Sequence, residues 1–230
     1  MNRFMTKKVV KWTYDVSALP KNSTTYAAAD ISEALDQVTI TAHPFETGDL
    51  VAVVSGTAAT APAADTAYYV IKVDDNTVSF ATSLANAYAG TVTALTAGAA
   101  ASVVMQVNTM GVVDTGIVLP LGAVVTGGYI DVKTSLTSTG SATLAFSTGE
   151  GAADLLAATA VATLAANYTV GVLAGVPVLG ADSSHDTAAK IQVLNGASLI
   201  EMTADNKVIV TIATAAITAG KFDLVLEYIV

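Results

Sequence analysis

Cysteine is absent from this 230-residue chain, and histidine occurs only twice. The lack of cysteine excludes disulfide bridges, thiolate zinc sites and cysteine nucleophiles. Only 13% of the residues are charged and 53% are hydrophobic, which is the opposite of the composition of a disordered chain. No stretch approaches the roughly 20 consecutive apolar residues of a membrane-spanning helix, and no signal-peptide apolar segment follows the first basic residues. The composition predicts a folded chain with its own core and no membrane partner.

Arginine is nearly absent, because Arg3 is the only one. Residues 1–21 carry five basic side chains and one acid, a charge of +4, whereas the rest of the chain carries five lysines and eighteen acids, a charge of −13. An acidic body repels phosphate, so we expect no nucleic-acid partner. The basic segment predicts a contact with an acidic surface, on a partner or on a neighbouring copy, with a solvated terminus as the alternative. Its contact residues would be Arg3, Lys7, Lys8 and Lys11.

What the chain does contain is a succession of short strand-like runs separated by Gly, Asn, Asp and Pro, as is typical of a β-sandwich or barrel. Tyr68–Val73 and Thr77–Phe80, joined by Asp74-Asp75-Asn76, predict a hairpin. The C-terminal run alternates with period two, so one set of its side chains is expected to face the core. That set is Phe222, Leu224, Leu226 and Tyr228.

Helical signals are few. Tyr26–Gln37 predicts about three turns of helix, with Thr24 or Thr25 as the N-cap. Ser83–Ala89 predicts a single turn ended by Gly90. Asp154–Ala166 is rich in alanine and fits either a helix or a strand. The chain as a whole is therefore predicted to be all-β.

The order of the runs indicates an insertion. The first strand, Val9–Val16, has no partner close to it in sequence, so we expect it to pair with the C-terminal series. The predicted organisation is an N-terminal arm with the first sandwich strand over residues 1–36, a small inserted β domain over 37–107, and the sandwich core over 108–230.

Residues with catalytic or metal-binding chemistry are scarce. His43 lies where a strand meets a turn, and a polar turn residue is the favoured interpretation. His185 lies in the loop Asp182–Asp186, which holds hydrolase-like residue types, but adjacent residues on one loop do not converge as a triad must. A solvated loop is favoured there, with catalysis and weak cation binding as alternatives. Asp74-Asp75-Asn76 lacks the Gly and Glu of a calcium loop. We predict no catalytic residue, no metal site and no cofactor.

Two sets of segments are distinctive. The first set, in the C-terminal series, is Ile117–Val125, Gly128–Thr134, Leu136–Leu144, Asp154–Thr159 and Thr218–Leu224. The second set, in the inserted region, is Val38–Phe45, Thr47–Asp49, Tyr68–Ile71 and Asp75–Val78. The first set resembles a family of small structural proteins of tailed bacteriophages. The second resembles a module of phage fibre and other virion proteins, with Pro44 at the position where that pattern usually has Gly.

The resemblance implies a non-enzymatic virion structural protein, with a jelly-roll-like β-sandwich and a small inserted β domain. The specific role we expect is a capsid decoration or cement protein, a homotrimer bound to the major capsid protein on the outer surface of the head. A tail, neck or fibre-base component is one alternative. A host-carbohydrate-binding module is another, and Tyr68, Tyr69 and Tyr88 would then form the binding surface on the insert.

Overall fold

The computed structural model describes residues 5–19, 21–22, 25–151, 153–161 and 200–230, together with the backbone of residues 173–175. Its strands form antiparallel sheets, and helical turns are few, which confirms the predicted all-β, sandwich-like fold class. The strands are β1 (Lys7–Asp15), β2 (Ile31–Ser32), β3 (Gln37–Thr39), β4 (Leu50–Thr57), β5 (Tyr68–Asp74), β6 (Thr77–Ala81), β7 (Ala101–Val107), β8 (Gly111–Leu119), β9 (Val124–Ser138), β10 (Thr143–Ser147), β11 (Leu156–Ala160), β12 (Leu173–Gly175), β13 (Ile200–Glu201), β14 (Asn206–Ala213) and β15 (Ile217–Ile229).

Two of the sheets form the layers of a sandwich. The five-stranded sheet has the order β1-β15-β9-β12, with β13 also paired to β9, and the four-stranded sheet has the order β11-β10-β14-β8. One hydrophobic cluster draws buried side chains from both sheets, among them Tyr14, Leu119, Phe146 and Leu224. Because the strands turn alternate residues toward this cluster, the two sheets share a single core.

The first and last strands lie side by side in the five-stranded sheet. β1 pairs with β15 along its whole length, from Lys7 opposite Ile229 to Asp15 opposite Lys221. The predicted register of β15 is confirmed, because the four side chains expected in the core are at most 5% exposed. Asp223 and Val225, on the other side of the strand, are also buried, at 4% and 8% exposure. The alternation in the sequence did not show this second buried set.

The residues between β1 and β8 form the six-stranded sheet, with the order β2-β3-β6-β5-β4-β7 and a hydrophobic cluster of its own. The predicted hairpin is confirmed, since β5 and β6 pair and Asn76 donates its backbone N–H to Asp74 at 2.7 Å. This sheet begins at Ile31, upstream of the boundary expected at residue 37. The extent of an autonomous domain stays a prediction.

The predicted helix over Tyr26–Gln37 is wrong. A one-turn 3-10 helix spans Ala28–Asp30, and the chain then turns back so that Ile31 lies opposite Val38. Both of these side chains are buried in the six-stranded core. An isolated helix of this length is marginal in water, so the burial that strand pairing provides outweighs the helical propensity of the alanines.

Of the other two helical predictions, one is confirmed and the other, left open between helix and strand, is a strand. The single turn is confirmed as α1 (Leu84–Ala89), which begins after Ser83, whose hydroxyl accepts a hydrogen bond from the Asn86 backbone, and ends at the left-handed Gly90. The ambiguous segment Asp154–Ala166 is a strand over β11, and its residues beyond 161 lie outside the described residues. A second 3-10 turn spans Val16–Ala18. No helix in the described ranges is long and apolar enough to span a bilayer.

The chain enters and leaves the six-stranded unit through paired backbone. Tyr26 and Val103 exchange two backbone hydrogen bonds, at 3.2 and 2.9 Å, and Val107 donates to the carbonyl of Lys21 at 3.2 Å. The incoming segment therefore covers the outer edge of β7 as a further strand would. We call residues 21–22, residues 25–28 and β7 together the paired neck.

The paired neck and Asn108, which directly follows it, are fixed to the sandwich by buried side chains. Gln106 donates its amide N–H to the carbonyl of Val16 at 3.2 Å, and Tyr14 donates its hydroxyl to the carbonyl of Asn108 at 3.0 Å. Burial raises the pKa of the Tyr14 hydroxyl, so it remains a donor at any physiological pH. These contacts fix how the second unit is mounted on the first.

Candidate interaction surfaces

The predicted basic contact segment is strand β1, and its lysines are largely engaged within the chain. Lys7 Nζ lies 2.8 Å from Glu227 Oε2, and Lys11 Nζ lies 2.7 Å from Asp223 Oδ2. Lys8 is exposed and has no ion pair with any described residue. Arg3 lies outside the described residues. In the described part of this segment, Lys8 is the lysine whose charge is left for a partner.

Asp223 is the centre of the charges on the outer side of this sheet. It accepts hydrogen bonds from Lys11 and, at 2.6 Å, from the hydroxyl of Thr13. Burial alone would raise the pKa of the Asp223 carboxyl, but the hydrogen bonds and the positive charge of Lys11 outweigh it, and the pKa lies below its ordinary value. Asp223 is therefore held as a carboxylate.

A second carboxylate stands directly beside it. Asp131 of β9 lies opposite Asp223 in the sheet and is paired with Lys133. The hydrogen bond to Asp131 raises the pKa of the Lys133 ammonium group. Two adjacent carboxylates would repel each other, but each has its own lysine, so this outer face is neutralised within the chain.

Many of the remaining acids cap loops. Glu150 accepts hydrogen bonds from the backbone and hydroxyl of Thr203, at 2.6 and 2.9 Å, and from the Asn206 amide at 2.6 Å. The backbone hydrogen bond from Thr203 is the main reason that the pKa of Glu150 is lowered. Asp205 accepts from the backbone of Leu121 at 2.7 Å. Much of the excess of acid over base thus ties turns together.

The three tyrosines expected on the insert differ in exposure. Tyr68 is 5% exposed, its ring lies in the six-stranded core beside Phe80, and its hydroxyl accepts from the backbone of Ala63 at 3.1 Å. Its ring is therefore not available to stack on a ligand. Tyr69 is half-buried, whereas Tyr88 on α1 is 70% exposed. No ring contact joins Tyr69 to Tyr88 in the described part of the chain.

A polar cleft of about 450 Å³ lies where the paired neck meets the sandwich. An ion pair of 3.0 Å between Lys221 and Asp15 forms part of its wall. The hydroxyl and backbone of Ser17 also donate to Asp15, and these hydrogen bonds, with that of Lys221, lower the pKa of its carboxyl. Sequence analysis missed this cleft because its walls come from distant segments. Other lining residues are Asn22, Gln106, Thr134 and Thr218.

Of the two histidines, His43 is held by hydrogen bonds to the backbone of neighbouring segments. His43 is 6% exposed, and its Nδ1 accepts from the backbone of Phe45 at 3.2 Å. Nε2 therefore carries the proton and donates to the carbonyl of Asp74 at 2.8 Å. This geometry agrees with a polar turn residue. His185 lies outside the described residues. The described residues contain no group of three or more His, Asp or Glu that could hold a metal ion.

Comparison with known proteins gives little similarity. No family model matches the chain, and no curated protein matches it. Among solved structures, it is similar to a chain of the acid-stable capsid of the Helicobacter pylori bacteriophage KHP30, at 15% identity and a TM-score of 0.33. That alignment covers 53% of this chain and 79% of the phage chain. At this TM-score, neither the fold nor the role of the phage protein is carried over to this chain.

Proposed function

We propose that this chain is a non-enzymatic structural protein of a tailed-bacteriophage virion. The supporting observation is that its two sets of phage-like segments lie on two separate cores. Ile117–Val125 joins β8 to β9, and its Leu119, Ala123 and Val125 are buried in the sandwich. Val38–Phe45 of the inserted region places three side chains in the six-stranded core. Segments that resemble phage proteins therefore contribute side chains to both hydrophobic cores.

The specific role is a capsid decoration or cement protein on the exterior of the head, bound as a homotrimer to the major capsid protein. Such a protein would add buried area across the boundaries between capsomers and so resist the pressure of the packaged DNA. The paired neck supports this role, because a unit fixed by backbone pairing holds two contact surfaces at a constant spacing. A flexible tether would transmit no such restraint.

Copy number separates this role from its structural alternatives. Quantitative mass spectrometry of purified particles should find the chain in hundreds of copies, comparable to the major capsid protein. A few copies per particle would instead place it in the tail, neck or fibre base. Its absence from purified particles would refute the virion role altogether.

Attachment to the shell is expected to use Lys8. Particles that carry Lys8→Glu should lose the protein at lower salt than wild-type particles, because the Debye length shrinks from about 10 Å at 0.1 M salt to about 3 Å at 1 M. Lys72→Glu makes the same change of charge on the six-stranded unit, where Lys72 pairs with Glu46 and Asp75. Equal retention of both variants and wild type at every salt concentration would refute an electrostatic attachment.

Carbohydrate binding is the second candidate, and the exposed ring of Tyr88 favours it. An exposed aromatic face stacks on the apolar face of a sugar ring, and the rest of the insert would supply polar contacts. A glycan array probed with wild type and with Tyr88→Ala tests this function. Binding that is lost in Tyr88→Ala would support it, and no binding by wild type would refute it.

A further inference from the structure

The outer side of the four-stranded sheet carries a face that the proposed function has not used. Its exposed side chains come mainly from the edge strand β8, and the half-buried Ile209 and Thr211 of β14 lie beside them. The register places Val112 opposite Thr211, Asp114 opposite Ile209 and Val118 opposite Lys207, so all six lie on the same side of the sheet. We call these six residues the β8 face. Val112 and Val118 are each 51% exposed.

A bulge in β8 lies between the two valines and brings Val118 opposite Lys207. Lys207 and Ile209 of β14 pair with Val118 and Asp114 of β8. One residue of β14, Val208, lies between these two pairs, whereas β8 has three there, from Thr115 to Ile117. Gly116 takes a φ of 73°, which glycine adopts without strain, and the hydroxyl of Thr115 donates to the carbonyl of Val208 at 2.7 Å. The bulge adds two residues, an even number, so the alternation of β8 continues through it: Val113 and Ile117 lie in the core, and Val118 faces outward with Val112.

The β8 face differs from the outer face of the five-stranded sheet in how few charged groups it carries. The five-stranded sheet carries lysine–carboxylate pairs along β1, β15 and β9. The β8 face carries one pair, Lys207 Nζ to Asp114 Oδ2 at 2.6 Å, and its formal charge is zero. The hydrogen bond from Lys207 is the main cause that lowers the pKa of Asp114, so the pair stays ionised near neutral pH. The remaining members are valine, isoleucine and threonine.

The charge of the whole chain limits what can cover this face. At a net charge of −9, copies of the protein repel one another over most of their surfaces. A neutral face removes that repulsion where two copies meet. A twofold contact would also place Lys207 of one copy near the Asp114 of the partner subunit, so the single charge pair is complementary to itself. We propose that the β8 face packs against the β8 face of a second copy of this chain.

The size of the face sets the strength of the contact. Two strands about 4.8 Å apart with about 3.3 Å per residue give the β8 face on the order of 200 Å², and the whole outer side of the four-stranded sheet about twice that area. A stable complex buries roughly 800 Å² on each partner. The contact is therefore weak and depends on concentration in solution, and it becomes significant where copies are held close together. It is additional to a trimer and joins copies in pairs.

Sedimentation equilibrium of the purified protein tests the proposal, with Val112→Glu and Val118→Glu as the perturbing variants. Each variant places carboxylates opposite each other across the twofold contact, so the limiting mass at high concentration should fall to half of the wild-type value. This halving is expected whether the pairs join monomers or trimers. Val73→Glu, at a valine that is 46% exposed on the six-stranded unit, adds the same charge elsewhere and should leave the mass unchanged.

The result does not depend on the virion role, because it requires no particle. A wild-type mass of one or three copies at the highest concentration, or a folded Val112→Glu or Val118→Glu variant with the wild-type mass, would overturn the proposal. The wild-type protein provides a second readout that needs no variant. Added salt screens the repulsion between acidic copies and should strengthen a neutral apolar contact, whereas dissociation by salt would overturn it.

Discussion

Replacing Leu224 with alanine tests the architecture of the sandwich at its most buried strand. Leu224 is 0% exposed on β15, and its neighbours in the sheet are Trp12 of β1 and Ile130 of β9. Removing three buried carbon groups at about 0.8 kcal/mol each costs about 2.4 kcal/mol. A cavity that cannot collapse raises the cost to about 5 kcal/mol. Because strands flank β15 on both sides, little collapse is expected, and we place the loss of unfolding free energy at about 3–5 kcal/mol.

The single tryptophan makes the measurement specific to the sandwich. Trp12 is half-buried, and its ring lies 5.8 Å from that of Phe222 in an edge-on contact. Urea unfolding followed by tryptophan fluorescence therefore reports the core to which Leu224 belongs. Circular dichroism of the same samples reports both units, so coincident transitions would show that the two units unfold together.

Val9→Ala is the matched control. Val9 is 58% exposed on the neighbouring strand β1, so its truncation should change the unfolding free energy by no more than about 0.5 kcal/mol. A cost below about 0.5 kcal/mol for Leu224→Ala would mean that the register of β15 or its place in the core is wrong.

Three further predictions concern other parts of the chain. Tyr68→Ala should lower the unfolding free energy by about 3–5 kcal/mol, whereas Tyr88→Ala should change it by less than about 0.5 kcal/mol; similar costs in urea titrations would contradict the burial of Tyr68. The pKa of Asp223 is lower in the folded than in the unfolded state, so its carboxylate stabilises the folded state at any pH above the unfolded-state pKa of about 3.9. This stabilisation is lost as the pH falls through the pKa of the folded state. Asp223→Asn should cost about 1–3 kcal/mol at neutral pH and flatten the acid limb of a stability–pH profile, and an unchanged profile would refute this. Removing residues 20–107 and joining Leu19 to Asn108 through a short Gly/Ser linker should leave a cooperative tryptophan transition, and its loss would count against an inserted domain.

The fold class and several strands could be predicted because their signals are local. Period-two alternation identified the core side of β15, and the Asp/Asn-rich turn identified the hairpin of β5 and β6. The helix predicted over Tyr26–Gln37 is wrong because the conformation of this segment depends on a strand that is distant in sequence. β3 pairs with β6, and the core formed there includes Val78 and Phe80, which no local pattern connects to Ile31.

The interaction surfaces were less accessible to sequence analysis, because they depend on which strands are neighbours. The basic composition of β1 was evident, but the pairing of Lys11 with Asp223 follows only from the antiparallel register of the first and last strands. The β8 face likewise needs the pairing of β8 with β14 and the bulge at Gly116. No pattern within β14 alone indicates that this pairing leaves the β8 face with a single ion pair.

Most lysines of the described residues are already in ion pairs within the chain, which limits how strongly they can bind an acidic partner. Of the lysines within the described ranges, all except Lys8 have an acidic partner on the same chain. A partner that binds one of the paired lysines must first separate it from its carboxylate. An exposed ion pair contributes only about 0–1 kcal/mol, whether it forms within the chain or with a partner. Electrostatic attachment through these residues thus gains little. Apolar burial does not carry this exchange cost, since the exposed side chains of Val112 and Val118 have no ion pair to lose. The arrangement of charges therefore favours the β8 face over the basic strand as the stronger contact, with Lys8 affecting mainly the salt dependence of binding.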